Sequence, residues 1–264
     1  NLDESIIAVN EIFDGKFGIA KNILIEEFLS GEEMSYFIIS DGENIKSFGS
    51  AQDHKRVGEG DTGKNTGGMG SYSPSRLLNK GLEEKILKKI IFPTIKGLSD
   101  LGTNYKGFLY AGLMIIENEP YLIEYNVRMG DPECQTILPR LKSDFFEIVE
   151  ATINKKLNQV NLEWFDTKAL SIVQCSRGYP ENYEKYQEIN NLDKINLAEN
   201  EFIFHAGTKI NNSKVISSGG RVLNFVAQSK SFKKSREIVI NLIKKIDWKK
   251  GFYRKDIGFK VIDE

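Results

Sequence analysis

The run YLIEYNVRMGDPECQ, residues 121 to 135, constrains this chain more than any other stretch. Its first six residues alternate strictly, which predicts a strand with Tyr121, Ile123 and Tyr125 on one face and Leu122, Glu124 and Asn126 on the other. A carboxylate and an amide then leave the same face of an otherwise apolar strand. Buried polar groups without partners are costly, so such a face must meet a ligand or solvent. Two oxygen donors so placed, followed by Arg128 and the polar turn Gly130-Asp131-Pro132-Glu133, suit a divalent cation beside a polyphosphate. An edge strand with a solvated polar face gives the same pattern. Arg128 could equally form an ion pair with Asp131 or Glu133.

The 264 residues are enough for one large domain or two ordinary ones. Lysine and arginine number 36 against 37 aspartates and glutamates, a formal net charge of −1. Nucleic-acid binding needs a dominant basic face, so this balance argues against that class while leaving room for a small phosphate site. The two cysteines, Cys134 and Cys175, are too few and too far apart for a disulfide framework or a zinc site. They suit a reducing cytoplasm, each as a small buried hydrophobe. No apolar run approaches the ~18 residues of a membrane span, and the N-terminus lacks a signal-peptide shape. These features indicate a soluble, cytoplasmic protein with no membrane or evident protein partner. The chain starts without methionine, inside an amphipathic helix with Leu2, Ile6, Val9 and Phe13 on one stripe, and reads as a fragment that opens within a domain.

Along the chain, residues 22 to 28 (NILIEEF) predict a strand, and residues 33 to 50 an antiparallel hairpin turning at Asp41-Gly42-Glu43-Asn44. Residues 51 to 75 carry six glycines and read as a long loop, functional or disordered. A helix follows over residues 81 to 102, with a kink expected near Phe92 because Pro93 lies inside it. The strand from Gly107 turns at Asn118-Glu119-Pro120 into the opening strand. Residues 133 to 157 look helical, with Phe146, Val149, Ile153 and Leu157 on a stripe. Composition changes near residue 160. Beyond it lie strands at 168–176, 201–207, 214–218 and 221–229, and a helix from Ser231 to Asp247. The fold class is α/β or α+β with a mixed or antiparallel sheet and flanking helices.

Three constellations carry chemistry. Glu26, Glu27, Phe28 and Leu29 end a strand whose backbone groups can meet a flat purine edge, and Glu33 is spaced to return to ribose hydroxyls; a solvated hairpin rim is the alternative. The glycine-rich segment combines Asp53, His54, Lys55 and Arg56 with Thr66-Gly67-Gly68-Met69-Gly70. It matches neither a Walker A loop nor a GxGxxG turn. It fits a lid closing over a substrate, or a flexible surface loop with incidental basic residues. His54 alone is more often a hydrogen-bonding surface histidine than a catalytic base. The third constellation is the opening stretch: Glu124 and Asn126 as metal ligands, Arg128 as a bidentate brace for phosphoryl oxygens, and Asp131 and Glu133 for an amine or ribose hydroxyls.

Taken in order, IEEFLSGEE, QDHKRVGEGDTGKNTGGMGSYSP, GFLYAGLMI, IEYNVRMGDPECQ, HAGTK, GGRVLNF and FYRKDIG resemble the glycinamide ribonucleotide synthetase (phosphoribosylamine–glycine ligase) family of ATP-grasp enzymes. The resemblance covers nearly the whole chain, most weakly at residues 157–170 and 181–200. It implies a partial ATP-grasp domain over residues 1–160 and a smaller α+β C-terminal domain over 161–264. It implies ATP-driven formation of glycyl phosphate and attack on it by 5-phosphoribosylamine. The implied cofactors are ATP and Mg²⁺ or Mn²⁺. Carried over, Glu26 to Leu29 and Glu33 would bind ATP, and Glu124 and Asn126 the metal. Arg128 and Lys55 would serve catalysis, and Asp53, His54, Gly68, Asp131, Pro132 and Glu133 would surround the substrates. Many ATP-grasp enzymes place a second metal-binding carboxylate where this chain has Gly112, so protein ligands to the metal should be few. The alternatives are another ATP-grasp carboxylate–amine ligase and a non-catalytic nucleotide-binding module.

Overall fold

The structure is a computed structural model and describes residues 1–262. It divides into two units, Asn1–Ser30 and the residues from Gly31 onward. In the first unit, α1 (Leu2–Phe13) starts on a capping box: the Asn1 side chain accepts the Glu4 N–H and the Glu4 carboxylate reaches back to the N-terminal amine. None of its residues is buried. The strand expected at residues 22 to 28 is absent, and the segment is irregular. Alternation does not suffice for a strand, whose backbone groups need a partner, and no described strand pairs with these residues. Glu26, Glu27 and Phe28 are exposed.

The second unit is built on one antiparallel sheet. Its first strands are β1 (Glu32–Asp41) and β2 (Ile45–Asp53), then the short β3 (Arg56–Gly58), β4 (Thr62–Asn65) and β5 (Gly70–Ser73). The helices α2 (Lys80–Ile86) and α3 (Phe92–Asp100) precede β6 (Lys106–Ile116) and β7 (Glu119–Asn126). After α4 (Cys134–Ile137) and α5 (Phe145–Ile153) come β8 (Lys168–Ser176), β9 (Glu201–His205), β10 (Thr208–Asn211), β11 (Lys214–Ser217) and β12 (Arg221–Ser229). The helix α6 (Phe232–Ile243) and β13 (Gly251–Phe252) complete it. The strand order is β7-β6-β1-β2-β5-β8-β12-β9, with β13 beside β8. The sheet thus runs across residue 160, because β5 pairs with β8.

β1 sits inside this order and is apolar on both faces because both are covered. Met34, Tyr36 and Ile38 join Leu82, Ile86, Ile90 and Ile91 of the helical layer, while Phe37 and Ile39 join Ile137, Ile148 and Leu157 on the other side. A third core packs Leu170, Ile172 and Phe225 of β8 and β12 against Val239, Leu242 and Ile243 of α6.

Several expectations are corrected. Residues 51 to 75 are not a long loop: they complete β2, form the β3–β4 hairpin and enter the sheet as β5. Their glycines serve close approach as well as turns; a Cβ on Gly70 would lie 2.4 Å from the Ser171 carbonyl oxygen of β8. The helix carrying Pro93 passes it through a π-helical turn, Leu87–Ile91, where Phe92 N–H donates to the Leu87 carbonyl. Residues 133 to 157 do not form one helix. Pro139 lacks an N–H, a 3₁₀ turn (Leu138–Arg140) follows α4, and Asp144 caps a new helix by accepting from Phe146 and Glu147 N–H. The restart changes the phase, so α5 buries Ile148 and Thr152 while Phe146 and Ile153 of the expected stripe are exposed. The β6–β7 turn uses Glu117 and Asn118 at positive φ, one residue earlier than expected.

β7 holds a further correction. Glu124 pairs with Gly112 and Leu122 with the adjacent Leu113, so Ile123 forms a bulge. Leu122 therefore leaves the Glu124 face, and the strict alternation ends there. β7 is also the terminal strand of the sheet among the described residues.

Candidate active site

Glu124 and Asn126 share one face at the end of β7, where Asn126 Nδ2 donates to Glu124 Oε1 at 3.1 Å. The bond orients the pair and leaves Glu124 Oε2 and Asn126 Oδ1 for other partners. Opposite them Gly112 has no side chain to offer, and a Cβ there would lie 3.2 Å from Glu124 Cγ. One carboxylate and one amide oxygen fit a hard divalent cation that draws its other ligands from water and phosphate. Among the described residues no group of three or more acidic, histidine or cysteine side chains could hold a metal. Arg128 is exposed, donates to the neighbouring Met129 carbonyl at 2.9 Å, and forms no ion pair among the described residues. The expected alternative, a pair with Asp131 or Glu133, is therefore not made.

Glu124 lines a small cavity of about 20 Å³ together with Glu33, Ser35, Asp53, Lys55 and Tyr110. Glu33, Asp53 and Lys55 also line an adjoining, more open cavity of about 250 Å³. Lys55 is paired with Glu33. Burial pulls its pKa down, but the Glu33 hydrogen bond and the charges of Glu33, Asp53 and Glu124 outweigh that and hold it above the ordinary lysine value.

Asp53 ends β2 and faces inward. Its Oδ1 is buried and accepts no hydrogen bond among the described residues. Burial raises its pKa well above the carboxylate range, the charge of Glu133 adds to this, and Lys55 and Arg221 act against it. Gly68 lies over this carboxylate at φ +112°, and a Cβ there would fall 2.4 Å from Pro132 Cδ and 2.9 Å from Asp53 Oδ1. Pro132 and Asp53 thus both crowd the position of Gly68, although the three residues come from three segments.

The turn Gly130 to Glu133 is anchored from two sides. Ser71 Oγ of β5 donates to the Pro132 carbonyl at 3.0 Å. Glu133 is 2% exposed, and its Oε1 accepts from Ser35 Oγ at 3.0 Å. Ser35 also meets Tyr110 OH at 2.9 Å, and burial, then the Glu133 charge, push the Tyr110 phenol pKa up.

His54 is buried, not on the surface. Gly258 N–H donates to its Nε2 at 3.1 Å, which leaves Nδ1 as the protonated nitrogen facing Asp61 Oδ1 at 3.1 Å. Burial lowers the imidazole pKa, against the pull of Asp61. Asp61 also accepts from buried Arg254 at 2.8 Å, and Arg254 is gripped by Asp256 at 2.9 and 2.6 Å. This network ties the β3–β4 hairpin to the FYRKDIG segment. Both cysteines are free, and burial pushes their thiols up, to about 11 for Cys134 and about 12 for Cys175.

Sequence reasoning missed Arg221, Ser35 and Tyr110. Arg221 opens β12, and its NH1 donates to the carbonyls of Gly67 (2.6 Å) and Asp131 (2.7 Å) while NH2 reaches Asp131 Oδ2 at 3.1 Å. A charged residue at the head of the apolar run RVLNFVA was the available signal. Ser35 and Tyr110 were hidden as ordinary members of apolar strands.

The ATP-grasp (A) domain of phosphoribosylglycinamide synthetase matches residues 1–134, and the C domain of the same family matches residues 169–260. A phosphoribosylamine–glycine ligase of Brucella melitensis is 44% identical over 263 residues, 99% of this chain and 62% of that protein. The chloroplastic phosphoribosylamine–glycine ligase of Arabidopsis thaliana is 44% identical over 267 residues, 99% of this chain and 50% of that protein. The crystal structure of phosphoribosylamine–glycine ligase from Thermotoga maritima superposes with a TM-score of 0.87 at 32% identity, covering 97% of this chain and 64% of that one. This chain therefore spans less than two thirds of the length of these relatives. It belongs to the phosphoribosylglycinamide synthetase family.

Proposed function

We propose that this chain provides much of the active site of an ATP-dependent ligase that joins glycine to 5-phosphoribosylamine, giving glycinamide ribonucleotide, ADP and phosphate by way of glycyl phosphate. The observation that carries this reading is the shared cavity. It places Glu124 of β7, the cationic Lys55 and the inward carboxylate Asp53 around one space. A ligase of this kind needs positive charge where a phosphoryl group moves and carboxylates where an amine enters.

Glu124 and Asn126 hold Mg²⁺ or Mn²⁺ in this reading. The bound ion supplies Lewis-acid neutralisation of phosphate charge. Lys55, kept protonated beside Glu33, and Arg128, which forms no ion pair among the described residues, add positive charge along the path from ATP to the glycine carboxylate. Glu33 takes ribose hydroxyls of ATP, and Glu26 to Leu29 offer backbone groups to adenine. Asp53, Gly68, Asp131, Pro132 and Glu133 surround glycine and phosphoribosylamine. His54, with both ring nitrogens engaged, supports Asp53 and Lys55 by fixing the segment that carries them. Residues 1–160 serve as the ATP-handling part and residues 161–264 as the part that closes the site through Arg221. The reaction is one of purine synthesis in the cytoplasm, on small molecules.

Substrate dependence in the full-length protein tests this. ADP release should require glycine and phosphoribosylamine together. Release driven by another carboxylate alone would overturn the assignment.

A further inference from the structure

When an amine attacks an acyl phosphate, its nitrogen gains positive charge and must lose a proton before the amide is complete. The site therefore needs an acceptor within reach of both the amine and the acyl carbon. We propose that Asp53 is that proton acceptor, with Oδ1 as the accepting atom. This rests on the ligase reading above.

Asp53 Oδ1 is buried and receives no hydrogen bond among the described residues. A buried carboxylate oxygen without a donor is costly to keep unless a substrate supplies one. Asp53 lines the small cavity that also holds Glu124, the carboxylate nearest the proposed phosphoryl path. It lines the open cavity as well, which gives the proton a way out to solvent. Gly68 and Pro132 close over it from above, and a side chain at Gly68 would displace them. The second carboxylate, Glu133, is already engaged by Ser35. Asp131 is engaged by Arg221. Of the three, Asp53 is the one with a buried oxygen left open.

The charged and titratable groups acting on Asp53 are Glu133, Lys55, Arg221 and Glu33, with Tyr110 and Glu124 in the same cavity. Burial, then the Glu133 charge, make the carboxylate more basic, and Lys55 and Arg221 act against this. The step balances. The amine lone pair forms the C–N bond, the C–O bond to phosphate breaks, phosphate departs with that electron pair, and the N–H proton passes to Asp53 Oδ1.

Hydroxylamine separates this step from the one before it. It is unprotonated at neutral pH and traps glycyl phosphate as glycine hydroxamate without an enzymic base. With the full-length protein, ATP and glycine, the ratio of phosphoribosylamine-dependent amide to hydroxamate is measured for wild type, Asp53→Asn and Asp53→Ala. Both variants remove a buried carboxylate whose oxygen has no donor, so folding should tolerate them, and thermal transitions check this. The expected result is a fall in the ratio of about 100-fold or more in both variants. A ratio within about threefold of wild type, or equal loss of both products, overturns the proposal. Absence of any glycine-dependent hydroxamate from the wild type would instead overturn the ligase reading.

Discussion

Arg221 NH2 donates to Asp131 Oδ2 at 3.1 Å, and the same guanidinium holds the Asp131 and Gly67 carbonyls through NH1. One side chain from β12 thereby fixes both the glycine-rich segment and the GDPE turn. Arg221→Lys keeps the charge but loses the planar fork that serves three acceptors. Hydrogen bonds to a charged group contribute about 1.5–3 kcal/mol. The expected cost in kcat/KM is about that much, or roughly 10- to 150-fold, with the thermal transition moved far less. Steady-state kinetics with phosphoribosylamine as the varied substrate check this, and wild-type constants in Arg221→Lys would refute the clamp.

Gly68 stands at φ +112° with Pro132 Cδ and the Asp53 carboxylate in the space a side chain would need. Gly68→Ala should therefore combine backbone strain of about 1–3 kcal/mol with displacement of Asp53. Chemical denaturation reads the first effect, and loss of amide formation reads the second. An alanine variant as stable and as active as the parent would remove the argument for close packing here.

The parts of the site that could be seen in the sequence are those whose geometry is local. Glu124 and Asn126 sit two residues apart on one strand, so the period of two puts them on one face whatever the partner strand does. The bulge at Ile123 could not be seen, because it arises from the register against β6. The burial of His54 could not be seen either. Its Nε2 partner, Gly258, lies 204 residues further along the chain, and only the sheet brings them together. The Arg221–Asp131 pair spans 90 residues in the same way. The strand expected at residues 22 to 28 failed for the opposite reason, since a correct local pattern there has no described neighbour to pair with.

Glu124→Gln keeps the shape of the side chain and its bond with Asn126 while removing the charge a cation needs. Loss of one ligand should weaken metal binding by more than the roughly 10- to 100-fold attached to outer-shell changes. Manganese binding followed by electron paramagnetic resonance reads this without reference to turnover. Turnover itself should fall by several orders of magnitude, and a chelator should abolish it in the parent. Parental manganese affinity in Glu124→Gln would contradict the role given to β7.

The buried His54 also sets a pH dependence of stability. Its folded-state pKa lies below the unfolded value of about 6.5. Between those two values the unfolded chain binds more protons than the folded one, so stability falls as pH falls through that window, by at most about 1.4 kcal/mol per pH unit. Asp53 acts with the opposite sign. Its folded pKa is raised, so its contribution declines as pH rises from the ordinary carboxylate range toward that value. Asp61, with a depressed pKa led by the His54 hydrogen bond, matters only below about pH 4. The net curve mixes these contributions, and the difference between wild type and His54→Gln isolates the histidine. Glutamine can still accept the Gly258 N–H but does not titrate. Urea unfolding of both proteins from pH 7.5 to pH 5 should show the wild type losing stability faster than His54→Gln as acid is added. Parallel curves would mean that the imidazole is not held neutral by the fold.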